Sequence, residues 1–227
     1  MSSGEPLISI VIPVLDDAAA LARILGQLAD QDDVEIVVVD GGSADESRRI
    51  AHDADRVIES ASGRARQLSV GIAAARGDLI WMVHADSCVS GELLNQMRRI
   101  AGDVHARWGR VDVRLDGDAP VFRVIEWSMN WRSRLSGICT GDQGIFVRRG
   151  VLELIGGVPQ QALMEDVELS KRLRRLAVPR RIPGPIVTAA RRWQRDGILR
   201  TVLEMWRLRL GYFFGEAPEL LAARYYR

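Results

Sequence analysis

The chain has 227 residues, 47% of them hydrophobic, and a formal net charge of +1. That length supports one full core and is short for two independent domains, and the balanced charge leaves no global field to recruit nucleic acid, which disfavours a polyanion binder. Cys88 and Cys139 lie far apart without metal-ligand spacing, which excludes a disulfide framework and points to a reducing compartment with both side chains buried.

In chain order, residues 7–12 form an apolar, β-branched run stopped by Pro13, and residues 34–39 form another, stopped by Asp40-Gly41-Gly42-Ser43. Between them Leu21, Ile24, Leu25 and Leu28 recur at helical spacing over 17–29, so the first two strands are expected to pair in parallel. Ser43 is placed to cap a helix over 44–52, residues 56–58 are a short strand, 63–76 a helix and 79–83 a fourth strand. This alternation predicts an α/β fold, a mostly parallel sheet with helices on both faces. Further on, 111–115 alternates like a half-exposed strand, 121–135 is a helix carrying Trp127 and Trp131, 145–147 is a strand and 186–187 a late one. No linker separates the halves, so the expectation is one domain over 1–227, with a nucleotide-binding half at about 7–90 and an acceptor and catalytic half at about 105–227.

Two acidic motifs carry the chemistry. His84-Ala85-Asp86 follows the apolar run Leu79-Ile80-Trp81-Met82-Val83, which would deliver both side chains to the carboxyl end of a buried strand, where ligands of open α/β sheets bind. Glu165-Asp166 opens a helix with apolar positions 167, 169 and 173; acids in a first turn also compensate the helix dipole with no catalytic role. Asp40 is either a ligand contact or an Asx-turn residue. Arg64 and Arg66 either mark an exposed helix start or add fork donors to free backbone N–H groups, an arrangement suited to phosphate. Asp142 and Gln143 lie between Gly141 and Gly144, in a recognition loop or an ordinary turn. His52 and His105 have no acidic partner at ligand spacing and read as solvated.

Taken in order, Ser9-Ile10-Val11-Ile12-Pro13, residues 37–45 with Asp40-Gly41-Gly42-Ser43, the segment ending Ala75-Arg76-Gly77-Asp78, His84-Ala85-Asp86 and Glu165-Asp166 resemble the motifs of family 2 glycosyltransferases. Residues 141–149, 164–169 and Arg191-Arg192-Trp193 resemble those of a small bacterial subgroup associated with arsenosugar biosynthesis. The resemblance implies a GT-A fold and inverting transfer of a sugar from a nucleoside diphosphate donor, a UDP-sugar foremost, to an acceptor hydroxyl. It implies donor contacts from Pro13, Asp40, Arg64, Arg66, His84, Asp86, Arg192 and Trp193, acceptor contacts from Asp142 and Gln143, and Asp166 as general base with Glu165 beside it. The family's usual Asp-x-Asp has His84 at its first position here, so the metal role falls to Asp86, with His84 left to ribose or metal. Mg2+ needs one carboxylate plus substrate phosphates, and Mn2+ tolerates imidazole better. A nucleotidyltransferase would need a Gly-rich basic loop where Val14-Leu15-Asp16-Asp17 stands; a noncatalytic nucleotide-sugar binding module would have no use for Asp166.

Residues 1–6 lack a signal-peptide pattern and no apolar run approaches the ~18 residues of a membrane span, so the chain is expected to be cytoplasmic. Residues 201–214 form a basic amphipathic stretch with Leu203, Trp206, Leu210 and Phe213. Docking on the protein's own core is the first expectation for it; peripheral contact with the inner face of a membrane, or a second subunit in a homodimer, are the others.

Overall fold

The computed structural model describes residues 8–29 and 31–226, with the side chain of Arg192 outside the description. Leu7, placed in the first strand by its sequence, also lies outside the described residues. Among the described residues an eight-stranded sheet has the order β3-β2-β1-β4-β7-β6-β8-β5. The strands are β1 (Ile8–Val14), β2 (Val34–Asp40), β3 (Arg56–Glu59), β4 (Leu79–Met82), β5 (Ser87–Cys88), β6 (Trp108–Asp116), β7 (Phe146–Arg148) and β8 (Arg180–Ala189).

The first four strands pair in parallel, as their short helical connections require. β6 and β8 also pair in parallel, while β7 runs antiparallel to both β4 and β6, and β5 antiparallel to β8, so the sheet is mostly parallel with short antiparallel pairings at β7 and β5. The chain enters β7 from the loop at 141–144, at the edge where β4 ends, and can only descend from there: Phe146 pairs with Trp81 and Arg148 with Leu79.

Side chains of successive strand residues point to opposite faces. Ile8, Ile10 and Ile12 of β1 join Trp81 and Phe146 on one face, under α1 (Ala18–Leu28) and α4 (Gly91–Gly102). Val11, Val37, Val39, Ile80 and Met82 lie on the other, under α3 (Arg64–Ala74), α6 (Arg149–Leu154) and α7 (Glu165–Leu173). Complete burial of an aliphatic side chain stabilises by about 1.5–3 kcal/mol, and β1, β2 and β4 bury nearly every residue on both faces. α3 sits close to the sheet at Gly71, where an added Cβ would come within 2.5 Å of Val11 Cγ1 and 2.7 Å of Val39 Cγ2.

Several boundaries differ from expectation. β1 continues through Pro13 to Val14. Val14 O accepts from Gly41 N on the β2 side, so the missing donor of Pro13 faces the β4 side, where the ladder has already ended. Ser43 does not cap a helix; its Oγ accepts from Asp16 N at 3.0 Å, and the helix is α2 (Ser47–Ile50) followed by a 3-10 turn at Ala51–Asp53. β6 is buried from Trp108 through Val113 and exposed at Arg114 and Asp116, so only its outer end keeps the expected alternation, and even Asp112 is buried, held by Arg110 and by Arg181 Nε at 2.9 Å. Cys139 is buried and Cys88 only half-buried; burial pushes the Cys139 thiol up to about 12, so it packs as an inert apolar group. His52 and His105 are exposed.

The Ala75-Arg76-Gly77-Asp78 segment turns out to be structural. Arg76 N and Nε donate to Glu35 at 2.7 and 2.9 Å, Gly77 N donates to Ser9 Oγ at 2.8 Å, and Asp78 pairs with Arg148. These bonds anchor the far end of the sheet, away from the ends of β1, β2 and β4 that carry the motif acids.

Candidate active site

The ends of β1, β2, β4, β6 and β8 meet at one edge, with β2 and β4 on either side of β1. That reversal of strand order opens a crevice in which α/β proteins bind ligands. A cleft of about 770 Å³ lies there, lined by Pro13, Asp17, Arg64, Arg66, His84 and Asp86 among others, with Ala222 and Tyr226 of the C-terminal α10 (Pro218–Tyr225) region closing one side. A second cavity of about 390 Å³ adjoins it and is lined by Asp142, Glu165, Asp166, Met205 and Arg209, with Trp193 at its wall. Arg64, His84, Asp86 and Tyr226 line both, so the two volumes communicate through the first acidic motif.

Each side chain arrives by a local device. Asp86 follows β4 in a turn in which Ser87 N donates to His84 O. Burial, and then repulsion from Asp142, raise the Asp86 carboxyl to about 6, with Arg191 opposing. Burial and the neighbouring Arg64 charge hold the His84 imidazole well below its ordinary value, so it is neutral at pH 7. Its Nδ1 lies 3.5 Å from Asp142 Oδ1 and its Nε2 is buried with no partner. Arg64, at the start of α3, stands 3.3 Å from Glu165 Oε1; burial opposes its charge, but Glu165, Asp166 and Asp142 outweigh burial and raise its pKa.

Glu165 and Asp166 begin α7 after Met164, whose φ of 64° is one of two positive values among the described non-glycine residues. Such left-handed backbone is costly for a residue with a Cβ, and here it turns the first residues of the helix toward the cavity. Asp166 Oδ2 accepts from Gly141 N at 2.9 Å and Oδ1 from Val167 N at 2.7 Å. Burial raises the Glu165 carboxyl, against the pull of Arg64. Gly141 is fixed by packing: a Cβ there would overlap the Arg64 guanidinium and lie 2.6 Å from His84 Nε2.

The structure thus brings together Pro13, Arg64, Arg66, His84, Asp86, Asp142, Glu165 and Asp166. Asp40 is buried and lines neither cavity; its carboxylate accepts from Gly42 N and Ser43 N at 3.1 Å and shapes the loop after β2. Gln143 is corrected: it is fully buried, its Nε2 donates to Ser133 Oγ at 2.9 Å and its Oε1 accepts from Thr140 N at 3.2 Å, so the side chain braces the 3-10 turn at Gly141–Gln143 and offers nothing to a ligand. Trp193 lines the second cavity and not the first, packed against Leu115 and Phe122. The Arg192 side chain lies outside the described residues.

Sequence reasoning missed the bidentate pair of Arg191 with Asp17, at 3.1 and 2.5 Å, which ties α8 (Arg191–Asp196) to the loop after β1. It also missed Arg132, on α5 (Pro120–Ser136); no local pattern separates that arginine from its neighbours.

The acids at the shared wall suit a divalent cation. Asp86 and Asp142 repel each other and His84 Nε2 has no partner, and a cation would relieve both. No group of three His, Cys, Asp or Glu among the described residues forms a metal cage, so the phosphates of a substrate would complete the ligand set.

The model of the family described as "Glycosyl transferase family 2" matches residues 9–151, more than half of the chain. The putative glycosyltransferase EpsH of Bacillus subtilis is 30% identical over 107 residues, covering 43% of this chain and 31% of that protein. The chain spans between 31% and 42% of the length of the curated relatives it matches. Among solved structures, S. aureus TarS 1-349 in complex with UDP-GlcNAc aligns at TM-score 0.65 and 17% identity, over 80% of this chain and 58% of that one. The mannosyltransferase PcManGT from Pyrobaculum calidifontis, in complex with GDP-Man and Mn2+, aligns at 0.62 and 21%, over 92% and 62%. At these identities the likeness shows the fold alone, the GT-A arrangement.

Proposed function

The chain belongs to glycosyl transferase family 2, and from that premise we propose that it moves a sugar from a nucleoside diphosphate donor to an acceptor hydroxyl, with inversion at the anomeric carbon. The observation that carries this reading is the pair of cavities sharing His84, Asp86 and Arg64. The nucleotide lies in the larger cleft at the switch point, and the acceptor enters the smaller cavity beside Asp166. A UDP-sugar is the donor favoured here; among the structural neighbours TarS is complexed with UDP-GlcNAc and PcManGT with GDP-Man.

In this reading Asp166 accepts the proton of the acceptor hydroxyl as its oxygen bonds to the anomeric carbon. The bond from that carbon to the donor oxygen breaks on the opposite face, and the electron pair leaves with the nucleoside diphosphate. The N–H groups of Gly141 and Val167 hold the carboxylate in place. Arg64 and Arg66 face the departing phosphates, and Glu165 acts as a positioning residue through Arg64. Asp86, with His84 beside it, would hold Mg2+ or Mn2+, which when bound neutralises charge developing on the leaving diphosphate. The resemblance to the arsenosugar-associated subgroup rests on sequence motifs alone.

Asp166→Asn is expected to lower turnover by about 10²–10⁴-fold while UDP affinity stays within about twofold. Product formation across a panel of UDP- and GDP-sugars with Mn2+, alongside UDP titration, measures both; ordinary turnover by the variant rules out the assignment of the base.

A further inference from the structure

We propose that Arg132 and Arg209 form a receptor for an anionic group, a phosphate or carboxylate, carried by the acceptor; this rests on reading the smaller cavity as the acceptor pocket. Arg132 comes from α5 and Arg209 from α9 (Ile198–Phe213), and Arg209 lines the smaller cavity and not the larger. Neither guanidinium has an ion pair with an acid among the described residues, and Arg132 Nη2 is buried with no hydrogen-bond partner. Burial, followed by repulsion from Arg209, pushes the Arg132 guanidinium down to about 10, and burial lowers Arg209 as well.

Arg132 follows the cavity-lining Met129 by one helical turn, so the two half-buried arginines approach the same volume with no acid bonded to either among the described residues, an arrangement that favours an incoming anion. Asp166 and Asp142 attract both guanidiniums without bonding either, and Asp166 already accepts from Gly141 N and Val167 N.

The helices that carry the arginines are anchored beside them. Asn130 and Ser133 flank Arg132: Asn130 bonds Val113 of β6 in both directions, at 2.9 and 3.0 Å, and Ser133 accepts from Gln143. Leu208, beside Arg209, is 3% exposed and packs with Met164 and Leu221. Two guanidiniums carried on anchored helices suit the bidentate recognition of oxyanions. The donor's phosphates have cations of their own in Arg64 and Arg66 of the larger cleft. Met129, Leu163 and Met205 give the smaller cavity an apolar side, so the fitting acceptor carries an apolar body, an anion and a free hydroxyl.

The test titrates inorganic phosphate and, separately, UDP with Mn2+ into wild type, Arg209→Gln, Arg132→Gln and the double variant by calorimetry. Phosphate is expected to bind wild type, to bind each single variant about tenfold more weakly and the double variant not measurably, while UDP affinity stays within about twofold throughout. Phosphate affinity unchanged in Arg209→Gln, no phosphate binding by wild type, or UDP affinity falling in parallel with phosphate each overturns the proposal, the last because it assigns the arginines to the donor. Removal of mutually repelling charges is expected to leave melting temperatures at or above wild type. Arg209→Lys, which keeps the charge and loses the fork, supplies an intermediate affinity should a glutamine variant fold poorly. Phosphate binding needs no turnover, so it can stand even where the Asp166→Asn experiment defeats the transferase reading.

Discussion

Asp86 concentrates the physical conflict of the site in one carboxyl. Its folded-state value of about 6 lies above the ordinary carboxylate value of 3.8, burial first and Asp142 second being responsible. A carboxyl raised in this way destabilises the fold in its charged form: the penalty is fully present above pH 6 and is relieved as pH falls toward 3.8. Its size is of the order of 2–3 kcal/mol. Asp86→Asn is accordingly expected to raise the melting temperature at pH 7.5 and to have a much smaller effect at pH 4.5, measured by thermal unfolding without ligand. The same titration governs cation affinity. Mn2+ binding in the presence of UDP should weaken by up to about tenfold per pH unit below 6, because the ligand must be deprotonated. Flat affinity from pH 7 to 5 would remove Asp86 from the metal site. His84, already neutral, adds no second transition in that window. The sequence supplied the residue types at these positions; the pKa directions came from burial and from neighbours distant in the chain, such as Asp142 and Arg191 for Asp86 and Arg64 and Asp166 for His84.

At the scale of elements, the site depends on how closely three loops approach. The 3-10 turn at Gly141–Gln143, the start of α3 and the start of α7 meet at Gly141, whose N–H bonds Asp166 and whose missing Cβ leaves room for Arg64 and His84. Gly141→Ala forces the Arg64 guanidinium aside. The expected result is at least a tenfold loss of kcat/KM with a stability cost of about 1–3 kcal/mol from overpacking, checked by steady-state kinetics beside denaturant unfolding. Wild-type kinetics in that variant would show the contact to be dispensable. Gln143 teaches the converse lesson. The pattern Gly-Asp-Gln-Gly exposed neither residue as inner or outer, and only the arrival of Ser133 and Asn130 on α5 made Gln143 a brace while Asp142 was left to face the cavity.

For the molecule as a whole, the C-terminal helices decide the outer surface. Docking of α9 on the core was expected; instead it buries Thr201 and Leu208 and leaves Leu203, Trp206, Leu210 and Phe213 at 70%, 63%, 51% and 78% exposure. No helix among the described residues is long and apolar enough to cross a membrane. Arg200 and Arg207 are exposed on the same helix, a combination of apolar and cationic groups that suits an anionic bilayer surface, and peripheral contact of this kind is our proposal. Cosedimentation with vesicles containing anionic phospholipid should retain the wild type and release Leu203→Glu/Trp206→Glu by at least tenfold, with the effect weakened by salt. Retention equal to wild type, or a concentration-dependent dimer that the double variant abolishes, would give this face to another role.

By itself the sequence determined the parallel β1 to β4 core, the edge at which ligands bind, and the residue types of both acidic motifs. These are recorded in local periodicity, in turn residues and in the order of motifs along the chain. The antiparallel insertion of β7, the burial of β6 through Val113, the internal bonding of Gln143 and Asp40, and the unpaired arginines of α5 and α9 were decided only by the tertiary structure. Strand direction, burial and charge pairing are set by which distant segments converge, and spacing along a chain carries no record of that convergence.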